Sequence, residues 1–425
     1  MYKPTFASFL IDASTSIAAM ISTVTNAISK LPQILLDSKV LNKGSRLLIV
    51  ASNNAKNRAP FNQTMLALQK KNKFQCVPFL SPSGCEAKIE TVEDGVLMAQ
   101  KTGCEGIVSV GGGSIIDMGK MISAILTNGG SVYDYVKHPK ANTVTKELFQ
   151  GNHNAILNVA VPTLLGSGSE LSKHAVLLYP AEEKAITFSH DLLQPNVVVA
   201  DKTFVKGASN ALESAVAFAN FARSFDLYIS NLQSNESIDD SEASIQSIAS
   251  LEASKLYLST LTLSENYTYS NDEKYDILAG ASFQSAYALN LSSTGLSISA
   301  RVSQTICGLF SVPYANVHSA VFLPLLKARI ENAKTKMKAK DMEFLTHVQS
   351  AAASICDDPN SSVDALIHYL EDIYRKLGLK SMKELGLSRT DSELATSLIF
   401  TENDLEDIQL LGRDRILDII VEDDA

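Results

Sequence analysis

The sequence is poor in the side chains that most often bind metals or form disulfides. Its 425 residues contain five cysteines, seven histidines and no tryptophan. An odd, scattered set of cysteines without a C-x-x-C pair excludes a disulfide scaffold and indicates reduced thiols in a cytoplasmic setting.

Basic residues and long apolar runs are also scarce. The chain has 37 lysine and arginine residues against 46 aspartate and glutamate residues, which gives a net charge of −9. Nucleic-acid binding needs clustered cations, so a nucleic-acid partner is not expected. No apolar segment reaches the length of a membrane span, and no signal peptide is recognisable near the N-terminus. We therefore expect a cytoplasmic protein that binds neither nucleic acids nor membranes.

Short apolar runs alternate with helical patterns over the first 200 residues. The apolar spacing between residues 17 and 35 predicts an amphipathic helix. Strands that alternate with helices are typical of a parallel, doubly wound sheet. The predicted strands are Arg46–Ser52, Cys76–Leu80, Gly106–Val110, Val159–Val161 and Ala175–Leu178.

Helical patterns dominate from about Asp201 onward. Four long ones are recognisable, at Asn210–Phe225, Ala243–Leu261, Lys274–Leu289 and Ala351–Leu377. This change of character indicates two domains: an α/β domain over residues 1–200 and an all-helical domain over residues 201–425.

The most informative segment is a glycine-rich turn between a strand and a helix. The strand Gly106–Val110 continues into Gly111, Gly112 and Gly113, and Ser114 begins the helix. Glycines let the backbone approach a ligand closely, and the first N–H groups of a helix bind anions. The segment matches neither G-x-G-x-x-G nor the P-loop pattern. An ordinary strand-to-helix turn without a ligand is the alternative.

A second loop of glycines and hydroxyl side chains follows the strand Val159–Val161. It covers Pro162–Glu170 and contains Gly166, Ser167 and Gly168. In open α/β sheets, ligands bind in the crevice outside the carboxyl ends of the strands. Two such loops favour a ligand site over a plain turn.

The two loops together resemble those of the iron-containing (group III) alcohol dehydrogenase family, which is related to glycerol dehydrogenase and dehydroquinate synthase. Gly111–Lys120 is similar to the family motif G-G-G-S-x-x-D-x-x-K, and Pro162–Glu170 is similar to P-T-T-x-G-T-G-S-E. Similarity at Lys184, at Gln194–Asp201 and near the C-terminus extends the resemblance over most of the chain. It implies a Rossmann-like domain followed by an all-helical, dehydroquinate synthase-like domain.

The resemblance also implies a site for NAD or NADP. The residues that would line or adjoin it are Gly111, Gly112, Gly113, Ser114, Asp117, Thr163, Ser167 and Lys184. Family members often end the first strand on an aspartate that binds the adenosine ribose, and the matching residue here is Ser52. Loss of that carboxylate removes a repulsion against the 2′-phosphate of NADP, so the choice between NAD and NADP stays open.

The metal site of the family is not preserved. Family members bind a divalent metal through one aspartate and three histidines. The matching positions here are Asn210, Ser214, either Ile298 or Ala300, and Tyr314, and no histidine occurs between residues 190 and 318 to supply the third ligand in any register. Neutral side chains of these kinds do not form an iron or zinc site, so we expect no metal.

Asn210 and the segment Pro313–His318 are partly similar to the maleylacetate reductase branch, whose other histidines are also missing here. Hydride transfer without a metal needs a group that stabilises the developing charge and a proton donor. We predict Arg301 for the first task and His318 for the second, with Tyr314 as a further donor. An ion-pair or surface role for Arg301 and ordinary packing for His318 are the alternatives.

The function hypothesis is a metal-independent NAD(P)-dependent oxidoreductase, either an alcohol dehydrogenase or a carbonyl reductase. It would interconvert a small carbonyl compound and its alcohol. Two alternatives stay open: a catalytically silent nucleotide-binding relative with a structural or regulatory role, and non-redox chemistry of the dehydroquinate synthase type. The resemblance also implies a homodimer or a larger homo-oligomer.

Overall fold

The chain forms two compact units, each with its own secondary structure. The computed structural model describes residues 20–22, 26–82, 87–136, 156–206, 208–231, 240–262, 271–292, 297–402 and 411–421. The first unit comprises Met1–Ala208 and Tyr269–Ala286, and the second comprises Ser209–Thr268 and Tyr287–Ala425. The division therefore differs from a single boundary at residue 200, because residues 269–286 belong with the α/β part.

The first unit is built on a six-stranded parallel sheet, which confirms the predicted fold class. Its strands are β1 (Met20–Ser22), β2 (Arg46–Ser52), β3 (Gln75–Ser81), β4 (Gly106–Gly111), β5 (Leu157–Pro162) and β8 (Val197–Val199), in the order β1-β8-β5-β4-β2-β3. Two further strands, β6 (His174–Tyr179) and β7 (Lys184–Ser189), form a separate antiparallel pair. Ala175–Leu178 is thus a strand as predicted, but it lies outside the parallel sheet.

Helices cover both faces of this sheet. They are α1 (Leu31–Asp37), α2 (Ala59–Gln69), α3 (Ile89–Thr102), α4 (Gly113–Asn128), α5 (Val132–Val136), α6 (Lys202–Val205) and the first part of α9 (Asn271–Leu291). Successive side chains of β2 point to opposite faces. Leu48 and Val50 accordingly join one apolar core, while Leu47 and Ile49 join the other.

The central helix α4 packs directly against β4. A Cβ atom at Gly119 would lie only 1.8 Å from Ser109 Oγ and 3.1 Å from Ser109 Cβ. The glycine therefore permits the close approach of helix to strand that fixes where α4 begins.

The second unit is helical throughout its described residues. Its helices are α7 (Asn210–Asn231), α8 (Asp240–Leu261), the end of α9, α10 (Ile298–Phe310), α11 (Tyr314–Lys336), α12 (Ala339–Ile355), α13 (Val363–Lys376), α14 (Arg389–Glu402) and α15 (Arg413–Val421). Phe322 on α11 packs edge-on against Phe221 and Phe225 of α7, with ring centroids 5.7 and 5.9 Å apart. Within the described parts of both units, no helix has the length and apolar character needed to cross a membrane.

The helix predicted over residues 17–35 is wrong in its first half. Met20–Ser22 is a strand that pairs in parallel with β8, and α1 begins only at Leu31. The buried Asp201 carboxylate accepts hydrogen bonds from the backbone N–H groups of Asn26 and Ile28, at 3.3 and 3.2 Å. These bonds to a residue about 175 positions away hold a turn there, so tertiary pairing overrides the helical periodicity.

Candidate functional site

The two glycine-rich loops lie beside each other at the carboxyl edge of the parallel sheet. Strand β4 is flanked by β2 and β5, with Ala51 opposite Val110 and Gly111 opposite Pro162. The loops that follow these strands therefore emerge at one edge, where open α/β sheets bind their ligands. Ser52, the last residue of β2, belongs to the same edge.

The first loop leaves an open cradle at the start of α4. Gly112 caps the helix with an extended backbone, and its carbonyl oxygen accepts hydrogen bonds from Ile115 and Ile116. A Cβ atom at Gly112 would meet nothing within 4 Å, whereas one at Gly111 would lie 2.7 Å from Ile115 Cβ. The cradle thus combines open space with the N–H groups of a 16-residue helix, as a pyrophosphate requires.

The second loop is held against the first by backbone and side-chain contacts. The N–H of Thr163 donates to the carbonyl of Gly111 at 3.0 Å, and a Cβ atom at Gly113 would lie 3.2 Å from Ser167 Oγ. Gly166 has φ +115° and donates its N–H to Ser282 Oγ on α9 at 2.8 Å. The predicted cofactor residues Gly111, Gly112, Gly113, Ser114, Thr163 and Ser167 are therefore brought together in one place.

A buried lysine joins the two loops to the β6–β7 pair. The Lys120 side chain is 0% exposed, and its Nζ lies 3.2 Å from Asp117 Oδ1 and 3.1 Å from Ser169 Oγ. The same ammonium donates to Ser172 Oγ at 3.2 Å and to the carbonyl of His174 at 2.6 Å. Oxygen acceptors surround the charge, which is the condition for burying an ammonium group.

Asp117 completes this arrangement. The Ser169 hydroxyl donates to its Oδ1, and the N–H of Val176 on β6 donates to its Oδ2 at 3.1 Å. Both carboxylate oxygens are thus bonded within the protein, which favours a positioning role for Asp117 over direct contact with a cofactor. Lys120 belongs to the glycine-rich sequence motif but was not predicted as a site residue. The sequence offered no signal for Ser172.

Lys184 is not joined to the loops by any contact that the described residues show. It lies on β7 opposite Tyr179 and forms an ion pair with Glu182. Val176, which contacts Asp117, is three residues from Tyr179 along β6, or about 10 Å at the rise of a strand. A cofactor contact for Lys184 stays a prediction.

Replacing Lys120 with methionine should lower the free energy of unfolding by about 3–5 kcal/mol, because it leaves Asp117 without its buried cation. The measurement is urea unfolding followed by circular dichroism. Lys206→Met is the matched control, since Lys206 pairs with Asp272 at 2.7 Å but both side chains are largely exposed. Its loss should be far smaller, because solvent screens an exposed ion pair. Equal losses for the two variants would contradict a special role for Lys120.

In the second unit, the positions that match the family's metal ligands carry poor donors. Asn210 is exposed at the start of α7, and Ser214 lies half-buried one turn later. Ile298 and Tyr314 are half-buried first residues of α10 and α11. No three histidine, cysteine, aspartate or glutamate side chains in the described ranges converge as a metal site would need. This donor set does not fit iron or zinc.

The histidine closest to those positions belongs to a buried chain of hydrogen bonds. The Ser299 hydroxyl on α10 donates to Asp226 Oδ2 on α7 and lies 2.8 Å from Nε2 of His318 on α11. Because the hydroxyl has one proton and gives it to Asp226, it accepts from the Nε2–H of His318. All three residues are buried. The Asp226–Ser299–His318 chain therefore links three helices, and the sequence offered no signal for its first two members.

Burial makes the His318 imidazole a poor acid–base group. Desolvation, with a further contribution from the charge of Arg223, lowers the pKa of His318 to about 3, so the ring is neutral near pH 7. Its side chain is 0% exposed and its ring packs on Tyr314 with centroids 5.1 Å apart. These facts favour a positioning role for His318. Direct proton donation by its ring stays a prediction.

Arg301 lies on α10 and is half-buried. Burial lowers the pKa of its guanidinium, but that pKa is ordinarily so high that the group keeps its charge near pH 7. Since it lies close in sequence to Ile298 and Ser299, Arg301 places a fixed cation in this region of the helical unit. Its catalytic role stays a prediction.

The depressed pKa of His318 predicts an acid-sensitive fold. Below about pH 6.5 the His318 imidazole binds a proton in the unfolded chain, whereas the buried ring of the folded chain stays neutral. The free energy of unfolding therefore falls as the pH drops from 6.5 toward 3. His318→Gln keeps an N–H donor for Ser299 but cannot titrate, so its loss of stability over this range should be smaller. Urea unfolding at several pH values tests this, and parallel curves for the two proteins would contradict it.

Comparison with known proteins agrees with this geometry. A sequence model of the family described as iron-containing alcohol dehydrogenase matches residues 21–202. The chain is 28% identical to NADH-dependent butanol dehydrogenase A of Clostridium acetobutylicum over 193 residues, 45% of this chain and 46% of that protein. It is 27% identical to the 1,3-propanediol dehydrogenase of Klebsiella pneumoniae over 308 residues, 72% of each chain.

The fold is also that of a solved structure. The crystal structure of a 1,3-propanediol oxidoreductase superposes with a TM-score of 0.73 at 19% sequence identity, covering 94% of this chain and 98% of that one. At this identity the likeness concerns the fold alone.

Proposed function

We propose that this chain, whose residues 21–202 match the model of the iron-containing alcohol dehydrogenase family, is an NAD(P)-dependent oxidoreductase that interconverts a small carbonyl compound and its alcohol. We further propose that it does so without the divalent metal of the family. The small-molecule substrate, the cytoplasmic location and the homodimeric or larger assembly expected from the sequence are parts of the same proposal.

The observation that carries the proposal is the cradle at Gly112. It offers open space and helix N–H groups at the carboxyl edge of a parallel sheet, next to the loop that contains Ser167. A bound nicotinamide nucleotide would supply the hydride for the reaction. The chain's own contribution in this unit is to bind the pyrophosphate through Gly112, Gly113 and Ser114 and to hold the second loop in place through Lys120.

Metal independence is supported by the chemistry of the available side chains. Asn210, Ser214, Ile298 and Tyr314 offer no anionic or imidazole donor, and the buried His318 uses its Nε2 on Ser299. The negative charge that develops on a carbonyl oxygen during reduction therefore needs another partner. We assign that role to the guanidinium of Arg301, whose charge does not depend on pH in the working range.

Three measurements on the purified full chain test the proposal. We expect NADH or NADPH to bind with enhanced nicotinamide fluorescence, and elemental analysis to find far less than one iron or zinc per chain. Reduction of some member of a panel of aldehydes and ketones should survive treatment with a chelator. Arg301→Met should lower kcat by about 10²–10³-fold with little change in nucleotide affinity, and Arg301→Lys should restore part of it.

Each outcome has a separate meaning. Stoichiometric metal whose removal abolishes turnover would overturn the metal-free mechanism. Nucleotide binding without turnover of any substrate in the panel would favour the catalytically silent relative. Absence of nucleotide binding would overturn the proposed function altogether.

Filling the cradle should abolish binding without harming the fold. Gly112 has φ −80°, which any residue adopts, and the space around its missing Cβ is open. The Gly112→Val variant should therefore have the same urea midpoint of unfolding as the wild type. Its nucleotide binding should be weaker by at least about 10-fold, because the valine side chain would occupy the pyrophosphate position. Gly112→Ala should weaken binding less. Wild-type affinity in the valine variant would place the nucleotide elsewhere.

A further inference from the structure

Three helices of the second unit carry the positions that match the metal ligands of the family. Asn210 and Ser214 lie on α7, Ile298 and Ala300 on α10, and Tyr314 on α11. None of these side chains fits iron or zinc. A metal that is bound by side chains of several helices holds those helices together and adds to the stability of the fold. Loss of the ligands therefore removes one connection between the three helices.

The same three helices are joined by the buried hydrogen bonds of Ser299. Its hydroxyl on α10 donates to Asp226 Oδ2 on α7 and lies 2.8 Å from Nε2 of His318 on α11. The exposed fractions of Asp226, Ser299 and His318 are only 9%, 2% and 0%. Because water does not reach the His318 ring, removing the hydroxyl would leave its Nε2–H without this acceptor inside the protein.

A second buried hydrogen bond joins α11 to α7 beside one of the matching positions. The hydroxyl of Ser319 donates to the carbonyl of Ala215 at 3.1 Å, and Ala215 directly follows Ser214. Asp226 lies about 16 Å further along α7, at the rise of an α-helix. Helix α11 is therefore tied to α7 at two levels, once directly and once through Ser299 of α10.

These bonds lie within one turn of the matching positions on α10 and α11. Tyr314 lies one turn before His318, and their rings are tilted by 45° with centroids 5.1 Å apart. Ser299 stands between Ile298 and Ala300 in the first turn of α10. The segments that would supply metal ligands in the family thus carry buried packing and hydrogen bonds here.

We propose that the Asp226–Ser299–His318 chain takes the place of a metal ion as the connection between α7, α10 and α11, and that the helical unit therefore holds its shape without one. A hydroxyl suits this task because it donates one hydrogen bond and accepts another, so it can join a carboxylate to an imidazole N–H. The inference goes beyond the proposed function, since it concerns the stability of the helical unit and neither turnover nor nucleotide binding.

Hydrogen exchange of the full chain, read by mass spectrometry, tests this connection. In Ser299→Ala, amide exchange in α7, α10 and α11 should become about 10–100-fold faster, because buried polar groups lose their partner. Exchange in α2 of the first unit should stay within about threefold of the wild type, since that helix belongs to another compact unit. Equal acceleration in α2 would overturn the inference.

Ser303→Ala is the matched control. Ser303 lies one turn further along α10 and is 0% exposed, but its hydroxyl donates to the carbonyl of Ser299 within the same helix, at 2.6 Å. Its removal should change exchange in the three helices by less than about threefold, because such bonds add little to a helix. An effect of Ser299→Ala no larger than that of Ser303→Ala would overturn the inference.

The replacement of a metal is tested on the wild-type chain. Its Tm should agree within about 1 °C in EDTA, in Zn²⁺ and in anaerobic Fe²⁺, because an ion that binds only the folded chain would raise it. A lower Tm in EDTA, or a higher one with either ion, would show that a metal still connects these helices and would overturn the inference.

Asp226→Asn serves as a second variant if Ser299→Ala does not fold. The amide oxygen still accepts from Ser299 but carries no charge, so exchange in α7, α10 and α11 should become about 3–10-fold faster. Unchanged exchange in these helices would overturn the inference. Failure of the chain to bind any nicotinamide nucleotide would overturn the proposed function alone.

Discussion

The Lys120 ammonium is buried among oxygen acceptors from α4, from the second loop and from β6, and the shape of the candidate site depends on them. Removing such a charge from water is costly unless oxygen atoms surround it. Here the cost is offset by Asp117, Ser169, Ser172 and the carbonyl of His174. The geometry of the loops is therefore tied to one side chain that itself meets no solvent.

This arrangement separates two tasks that a motif alone does not distinguish. Gly112 leaves open space beside the first N–H groups of α4, which is what a phosphate needs. Asp117 and Lys120 use their charges on each other and on the second loop. Residues of one motif thus divide into those that leave room for a phosphate and those that hold the loops in place.

In the helical unit, two side chains of kinds that often bind metals take part in a buried chain of hydrogen bonds. Asp226 and His318 are both chemically able to bind a metal, yet Ser299 lies between them and is hydrogen-bonded to both. The chain of bonds crosses α7, α10 and α11, so it joins helices much as a shared metal would. Its neutral imidazole and its burial suit a structural connection.

The fold class and the position of both glycine-rich loops could be predicted from the sequence, which also predicts that the family's metal ligands are missing. Each of these rests on local pattern or on the identity of single residues, which need no tertiary information. Three features are visible only in the folded chain: Met20–Ser22 is a strand, β6 and β7 form their own antiparallel pair, and His318 is buried. The physical reason is distance along the chain: Ser299 and Asp226 are 73 residues apart, and Lys120 and His174 are 54 apart. Hydrogen bonds between such residues form only after the chain has folded, and no local periodicity encodes them.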